Sequence, residues 1–234
     1  MVGRGARGRG RATPGLDVTA GDLVGLTITK VTPGVRDPTR VTLRAERRAI
    51  ATIDDVTAHR LRVKVGLTIG EELAAAILAA VGEDRLRRIA LRRVARSACS
   101  VRALHDALVR KGATREQAGR IAADMERLGY VSDAEFARAK ARAILARKPC
   151  GARLIEARLR AAGIGRELAA SAAKEVTSGR DAGEDAEALA RRVARGLASR
   201  LDAEGKRRRL LAALARRGFD HGSAARAVAA VLKG

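Results

Sequence analysis

Arginine is the residue type in this chain whose clustering could do chemistry. Six arginines lie between positions 85 and 96 with no acidic residue among them, and Lys206 begins a run of four consecutive basic residues. Guanidinium groups bind phosphate oxygens through paired, charge-assisted hydrogen bonds. Because like charges one helical turn apart repel one another, such a face favours an opposing anion, although a solvated basic face is the alternative. The residues predicted to bind nucleic acid, or an assembly that carries it, are Arg87, Arg88, Arg92, Arg153, Arg207, Arg208, Arg209, Arg216 and Arg217.

Residues that could support catalysis or hold a metal ion are scattered. His59, His105 and His221 lie far apart, and none has a partner at metal-ligand spacing. His105 and Asp106 are adjacent, but neighbouring residues of a helix point about 100° apart and are not expected to face each other. The sequence has no phosphate-binding loop and no nucleophile elbow. We therefore expect no catalytic residue, no metal, no cofactor and no enzymatic activity.

The charge of the whole chain limits its partners. Forty-eight Lys and Arg against 26 Asp and Glu leave a net charge of +22. A field of this sign attracts polyanions and accelerates encounters with them. No run of 18 apolar residues is present, so no membrane span is expected, and the N-terminus lacks the apolar core of a signal peptide. The two cysteines, Cys99 and Cys150, are predicted to be buried or half-buried and unpaired, and the expected compartment is the cytoplasm.

The elements that must position these residues are indicated by three glycines. Gly112, Gly163 and Gly218 stand 51 and 55 residues apart, and each is preceded at minus eight and minus four by an aliphatic residue. That spacing places both aliphatics on one face of a helix, and a glycine directly after the helix is typical of a left-handed C-terminal cap. Six residues beyond each glycine is an alanine. The sequence therefore contains three copies of a helix-turn-helix unit, which predicts a tandem helical array with an extended surface for a partner.

The repeats divide the chain into five predicted segments. Residues 1–22, rich in arginine and glycine, are predicted to be a disordered basic tail. Segment 23–82 is predicted to be a small α+β module, because β-branched residues near alternating spacing and two Pro-containing turns indicate two or three short strands. Helical repeats are predicted at 83–130, 131–178 and 183–234. The predicted fold is mainly α, with three tandem three-helix repeats in an elongated array after an N-terminal β-hairpin/helix module.

Several helix boundaries can be predicted from local signals. Asp54-Asp55 is expected to begin a short helix that Gly66 ends. A second helix is predicted from Glu71 to Val81, separate from the arginine-rich helix that begins at Asp84. Ser132, with Glu135 three residues later, predicts a capping box at the start of the second repeat.

The segment from Gly129 to Ile164 resembles the RecX family. The matching residues are Gly129-Tyr130-Val131-Ser132-Asp133, Phe136-Ala137, Lys148, Gly151, Ile155, Leu159 and Gly163-Ile164, and Ser100, Leu104 and Leu108 match in the first repeat. The resemblance covers about residues 50 to 234. Ser132, Ala152 and Ala103 depart from the family pattern, two of them where it has an acid, so no acidic contact residue is carried over.

The resemblance implies three three-helix repeats and a regulator that binds the recombinase RecA. The implied partners are the RecA filament and its single-stranded DNA, and the implied effect is inhibition or modulation of recombinase activity. We expect a monomer. The alternative is an independent DNA- or RNA-binding protein without sequence specificity, which charge and periodicity alone do not exclude.

Two scarce aromatic residues lie within the resembling segment. Phe136 is predicted to fill the core of the second repeat, and Tyr130 to wedge between repeats one and two. Stacking of these rings on exposed bases is the alternative.

Overall fold

The computed structural model describes residues 18–35, 37–197 and 201–233. Three strands come first: β1 (Lys30–Pro33), β2 (Arg40–Ala45) and β3 (Arg48–Asp54). The helices that follow are α1 (Asp55–Arg60), α2 (Glu71–Arg96), α3 (Val101–Val109), α4 (Arg115–Arg127), α5 (Asp133–Arg147), α6 (Ala152–Ala161), α7 (Arg166–Thr177), α8 (Ala182–Ala194), α9 (Ala203–Arg216) and α10 (His221–Lys233). The predicted mainly helical fold with a small strand-containing N-terminal module is confirmed. Two compact units are present, one ending at Ile89 and the other beginning at Ala90.

In the first unit, an antiparallel sheet of order β1-β2-β3 forms one side of a small core. Val31 of β1 pairs with Leu43 of β2, and Leu43 is fully buried. Ala74 and Ile77 of α2 join the same core. Val18 and Ala20 already pack against it, while residues 1–17 of the predicted basic tail lie outside the described residues.

Both predicted helix ends in this region are wrong. α1 begins after its N-cap Asp54 as expected, but it ends at Arg60 because Arg62 adopts a left-handed backbone with φ of 52°. α2 is one helix of 26 residues that continues through Gly82. A helix-interior glycine costs only about 1 kcal/mol relative to alanine, so it does not by itself end a helix. The segment boundary predicted at 82/83 therefore falls inside α2.

In the second unit, the three aliphatic-glycine patterns have the structure predicted for them. All six aliphatic residues are fully buried: Leu104, Leu108, Ile155, Leu159, Leu210 and Leu214. The three glycines lie two or three residues beyond the last residues of α3, α6 and α9, with φ values of 93°, 91° and 77°. Since non-glycine residues seldom adopt this conformation, the left-handed caps explain the glycines.

The second and third repeats each have a hydrophobic core of their own. Ala141, Ile155 and Ala172 share one cluster from α5, α6 and α7, and Leu189, Leu214 and Val228 share another from α8, α9 and α10. At the start of α5, Ser132 Oγ accepts a hydrogen bond from the Glu135 backbone at 3.3 Å, which confirms the N-cap. Glu135 forms no described bond back to the Ser132 backbone, so only half of the predicted capping box is present, whereas a complete capping box forms at the start of α4 between Thr114 and Gln117.

The second helices of successive repeats meet end to end. The hydroxyl of Ser100, the N-cap of α3, accepts a bond from Ala103 N at 3.1 Å and donates to Ala162 O, beyond the end of α6, at 2.6 Å. Asp133 Oδ1 accepts a further bond from Val101 N at 2.8 Å. The first turn of α3 is thus completed by atoms of the second repeat.

The next junction places backbone directly against backbone. Gly151, the N-cap of α6, donates through its N–H to Arg217 O at 2.9 Å. A Cβ on Gly151 would overlap Gly218 O, and a Cβ on Gly218 would overlap Leu154 N. Gly218 therefore serves both as a left-handed cap and as a point of close approach between repeats two and three.

Candidate nucleic-acid interface

The arginine stretch of α2 is partly neutralised. Arg87 pairs with Glu83 at 3.2 Å, and Arg88 pairs with Asp84 at 3.1 Å. The same Asp84 oxygen accepts a bond from Arg40 of β2 at 2.7 Å. Because α2 is continuous, both acids lie one turn before the arginines that they pair with. Glu83 and Asp84 therefore relieve part of the repulsion among these arginines, and Arg87 and Arg88 have partners within the chain.

Other predicted binding residues are exposed and have no ion pair within the described residues. Arg92 lies on the later part of α2. Arg207, Arg208 and Arg209 lie together in the first half of α9, where they face solvent. Their guanidinium groups are available to an external anion.

Arg153 lies apart from them, at the mouth of a cavity of about 250 Å³. This cavity opens beside the N-terminus of α6, and Arg180 and Asp185 also line it. Arg180 is held by Asp185 through two hydrogen bonds of 2.7 Å. Within this cavity the charge of Arg180 is therefore neutralised by Asp185, whereas Arg153 is exposed.

Arg216 and Arg217 lie in a groove between α8 and α9, here called groove 3. Its volume is about 270 Å³, and Leu189, Val193 and Ala213 form its apolar lining. Arg217 is half-buried and donates to Pro149 O at 2.8 Å, so it also joins repeats two and three. Two cations that the sequence analysis missed complete the lining, Lys148 and Arg192.

A matching groove of about 450 Å³, here called groove 2, lies between α5 and α6. Lys140, Arg147 and Arg158 line it, together with Ile144 and three alanines. Arg147 and Arg158 are exposed and form no ion pair within the described residues, while Lys140 Nζ lies 5.4 Å from the centre of the Phe136 ring. Among the described residues, no acidic side chain lines groove 2 or groove 3.

The two grooves occupy equivalent places in their repeats. Each is bounded by the later part of the repeat's first helix and the C-terminal turn of its second helix. Ala161 and Ala162 of groove 2 correspond to Arg216 and Arg217 of groove 3 at the same 55-residue spacing as the glycine caps. That alignment was the signal that could have identified the grooves from the sequence.

The His105–Asp106 pair does form, contrary to the sequence argument. His105 Nδ1 lies 3.0 Å from Asp106 Oδ1, and this hydrogen bond lowers the pKa of Asp106. The side chains bend toward each other along the surface of α3, and neither lines any of the cavities above.

Among the described residues, no three His, Cys, Asp or Glu side chains are grouped as metal ligands would be. No described helix is long and apolar enough to cross a membrane.

The cysteines and aromatic residues have distinct environments. Cys99 and Cys150 are buried and unpaired as predicted, and burial raises the pKa of both thiols.

Phe136 is half-buried against the core of the second repeat, so it fills that core only in part. Tyr130 is 55% exposed, so its predicted position as a wedge between repeats is wrong. The left-handed Gly129 turns the chain so that Tyr130 points outward while Val131 enters the interior.

Comparisons with known proteins find likeness in structure. No protein-family model matches the sequence, and a search of curated proteins finds no match either. A crystal structure of the regulatory protein RecX superposes with a TM-score of 0.72 at 18% identity, over 89% of this chain and 98% of that one. RecX from Lactobacillus salivarius gives a TM-score of 0.55 at 16% identity, over 64% of this chain and 96% of that one. The chain therefore has the fold of the RecX crystal structures.

Proposed function

We propose that this protein is a non-enzymatic regulator that binds RecA and the RecA–single-stranded-DNA filament and restrains recombinase activity. The observation that carries the proposal is the structural likeness to the regulatory protein RecX, which extends over nearly the whole length of both chains. The RecX-like residue pattern from Gly129 to Ile164 supports it independently, because that pattern depends on residue types and spacing alone.

The charge distribution supports a partner that carries phosphate. Among the predicted binding residues, Arg92, Arg153, Arg207, Arg208, Arg209 and Arg216 are exposed and lack an ion pair within the described part of the chain. Arg87, Arg88 and Arg217 have protein partners and would contribute less to binding. A filament whose DNA is accessible would present phosphates to the six uncompensated side chains.

Binding to the assembled filament is the direct test. Immobilised single-stranded DNA is presented to the protein with and without bound RecA, at a salt concentration that suppresses weak binding to bare DNA. The proposal expects retention to increase when RecA coats the DNA. Equal or lower retention on the coated strand would contradict it.

The second candidate function is a stand-alone nucleic-acid-binding protein without sequence specificity. The net charge of +22 and the acid-free lining of grooves 2 and 3 favour it. A pull-down with RecA in the absence of DNA separates the two functions. Capture by RecA alone supports the regulator, and capture by bare DNA without any affinity for RecA supports the alternative.

A further inference from the structure

We propose that grooves 2 and 3 are two equivalent phosphate-binding sites that hold the backbone of one single strand of nucleic acid. The inference deepens the proposed function by naming the surface that would meet the DNA. Its main test measures binding to bare DNA without RecA, so its failure is distinguishable from failure of the regulatory proposal.

The first argument is chemical. Groove 3 brings four cationic side chains together, and groove 2 brings three, with no acid lining either one. Within the described residues, Arg147, Arg158, Arg192 and Arg216 are exposed and form no ion pair. Cations grouped in this way repel one another, and phosphate oxygens opposite them would relieve that repulsion through charge-assisted hydrogen bonds.

The second argument is the repetition. The two grooves use the same helix pairs of successive repeats, and the junction at Gly151 and Gly218 fixes one repeat against the next, backbone to backbone. A site repeated at a fixed separation suits a ligand whose charges also repeat, such as a phosphodiester chain. Apart from the cations, the described lining of each groove is alanine and aliphatic residues, with no Asn, Gln, Asp or Glu side chain to read a base edge. Binding should therefore be insensitive to sequence.

A structural role for the same cations makes a different prediction. Arg147, Arg158, Arg192 and Arg216 all lie in the last turns of their helices, where positive charge stabilises the negative end of the helix dipole. If that were their role, neutral substitution would lower the melting temperature and leave binding to DNA unchanged. The phosphate proposal expects the same substitutions to weaken binding to DNA and to leave the melting temperature unchanged.

The test uses three substitutions in groove 3, Lys148→Gln, Arg192→Gln and Arg216→Gln, and leaves Arg217 in place because it holds Pro149. Binding of the full-length protein to a fluorescent oligo-dT strand is measured by anisotropy over a range of NaCl concentrations. Each phosphate contact on single-stranded DNA contributes about −0.7 to the slope of log affinity against log salt concentration. Loss of three contacts should flatten that slope by about 2.

A matched control removes the same charge elsewhere. Arg115→Gln, Arg138→Gln and Arg166→Gln replace three exposed arginines that line neither groove and form no ion pair within the described residues. The control should keep the wild-type slope. Adding Arg147→Gln and Arg158→Gln to the groove 3 variant should flatten the slope further, because groove 2 would then lose its contacts as well.

Three results would overturn the proposal. If the salt slope flattens equally in the control and groove variants, binding depends on the overall charge of the protein and not on a particular site. An unchanged slope together with a lowered melting temperature would assign the cations to helix stability. If the groove 3 variant still binds oligo-dT but is no longer captured by RecA in the absence of DNA, the grooves would be assigned to a protein partner.

Discussion

Ser100 is a single residue on which two repeats depend. Its buried hydroxyl caps the first turn of α3 and also satisfies Ala162 O, beyond the end of α6. Ser100→Ala removes an N-cap, and it also leaves the partly buried Ala162 carbonyl without this partner, so we expect a loss of about 1–3 kcal/mol in the free energy of unfolding. Urea denaturation followed by circular dichroism measures it.

Ser132→Ala provides the control for that experiment. Ser132 caps α5 in the same way but forms no described bond to another repeat. Its replacement should cost about 1 kcal/mol or less. Equal losses in the two variants would show that the bond from Ser100 to Ala162 contributes nothing beyond the cap.

Residue types alone predicted some side-chain environments and not others. Burial of Cys99 and Cys150 followed from their repeat positions, whereas the exposure of Tyr130 depends on the turn at Gly129. Asp84 began the predicted arginine-rich helix, so its pairing with Arg88 could have been predicted, whereas Glu83, the partner of Arg87, fell just outside that helix. When a helix boundary is predicted a few residues too late, ion pairs that span that boundary are missed.

At the scale of elements, the contact between α6 and the end of α9 gives a sharp steric test. Gly151 has φ of −78°, which any residue can adopt, so only the approach of Gly218 requires a glycine there. We expect Gly151→Ala to cost about 1–3 kcal/mol, as overpacking of a tight contact usually does. Thermal and urea unfolding measure the cost.

Gly165→Ala is the matched control for Gly151→Ala. Gly165 is the N-cap of α7, with φ of −60°, and a Cβ added there would have no atom within 4 Å. Both substitutions replace a glycine N-cap by alanine, so the cost of the cap is common to them. The difference between the two variants measures the repeat junction, and no difference would mean that the backbone contact is absent.

The continuity of α2 makes the opposite prediction for Gly82. This glycine lies in the helix interior with open space around its Cβ position. Gly82→Ala should stabilise the protein by about 0.5–1 kcal/mol, because alanine loses less backbone entropy. Gly119→Ala inside α4, also with open space, should give a similar gain in melting temperature. A fall in melting temperature for Gly82→Ala alone would indicate that the helix breaks there.

The elements themselves were largely predictable because they depend on local signals. Periodic aliphatic residues, cap glycines and the Ser132 N-cap predicted helices of the second unit, and β-branched residues near alternating spacing predicted the strands. The grooves and repeat junctions were not predictable in the same way. They bring together residues such as Gly151 and Gly218 that are distant in the chain, and their contact depends on how whole helices cross.

At the scale of the whole molecule, the chain has the fold of the RecX crystal structures and a net charge of +22. The fold is the basis of the proposed regulatory function, and the charge suits a surface that contains phosphate. The central claim therefore rests on what the protein does to RecA.

The most direct measurement is the rate of RecA ATP hydrolysis on single-stranded DNA as this protein is added up to stoichiometric amounts. Because RecA hydrolyses ATP when it is assembled on DNA, a regulator that restrains the filament should lower the rate progressively and saturably. The groove 3 variant with three Gln substitutions should need more protein for the same effect, while the Arg115, Arg138 and Arg166 control should match the wild type. An ATPase rate that stays unchanged at equimolar protein and moderate salt would contradict the proposed function.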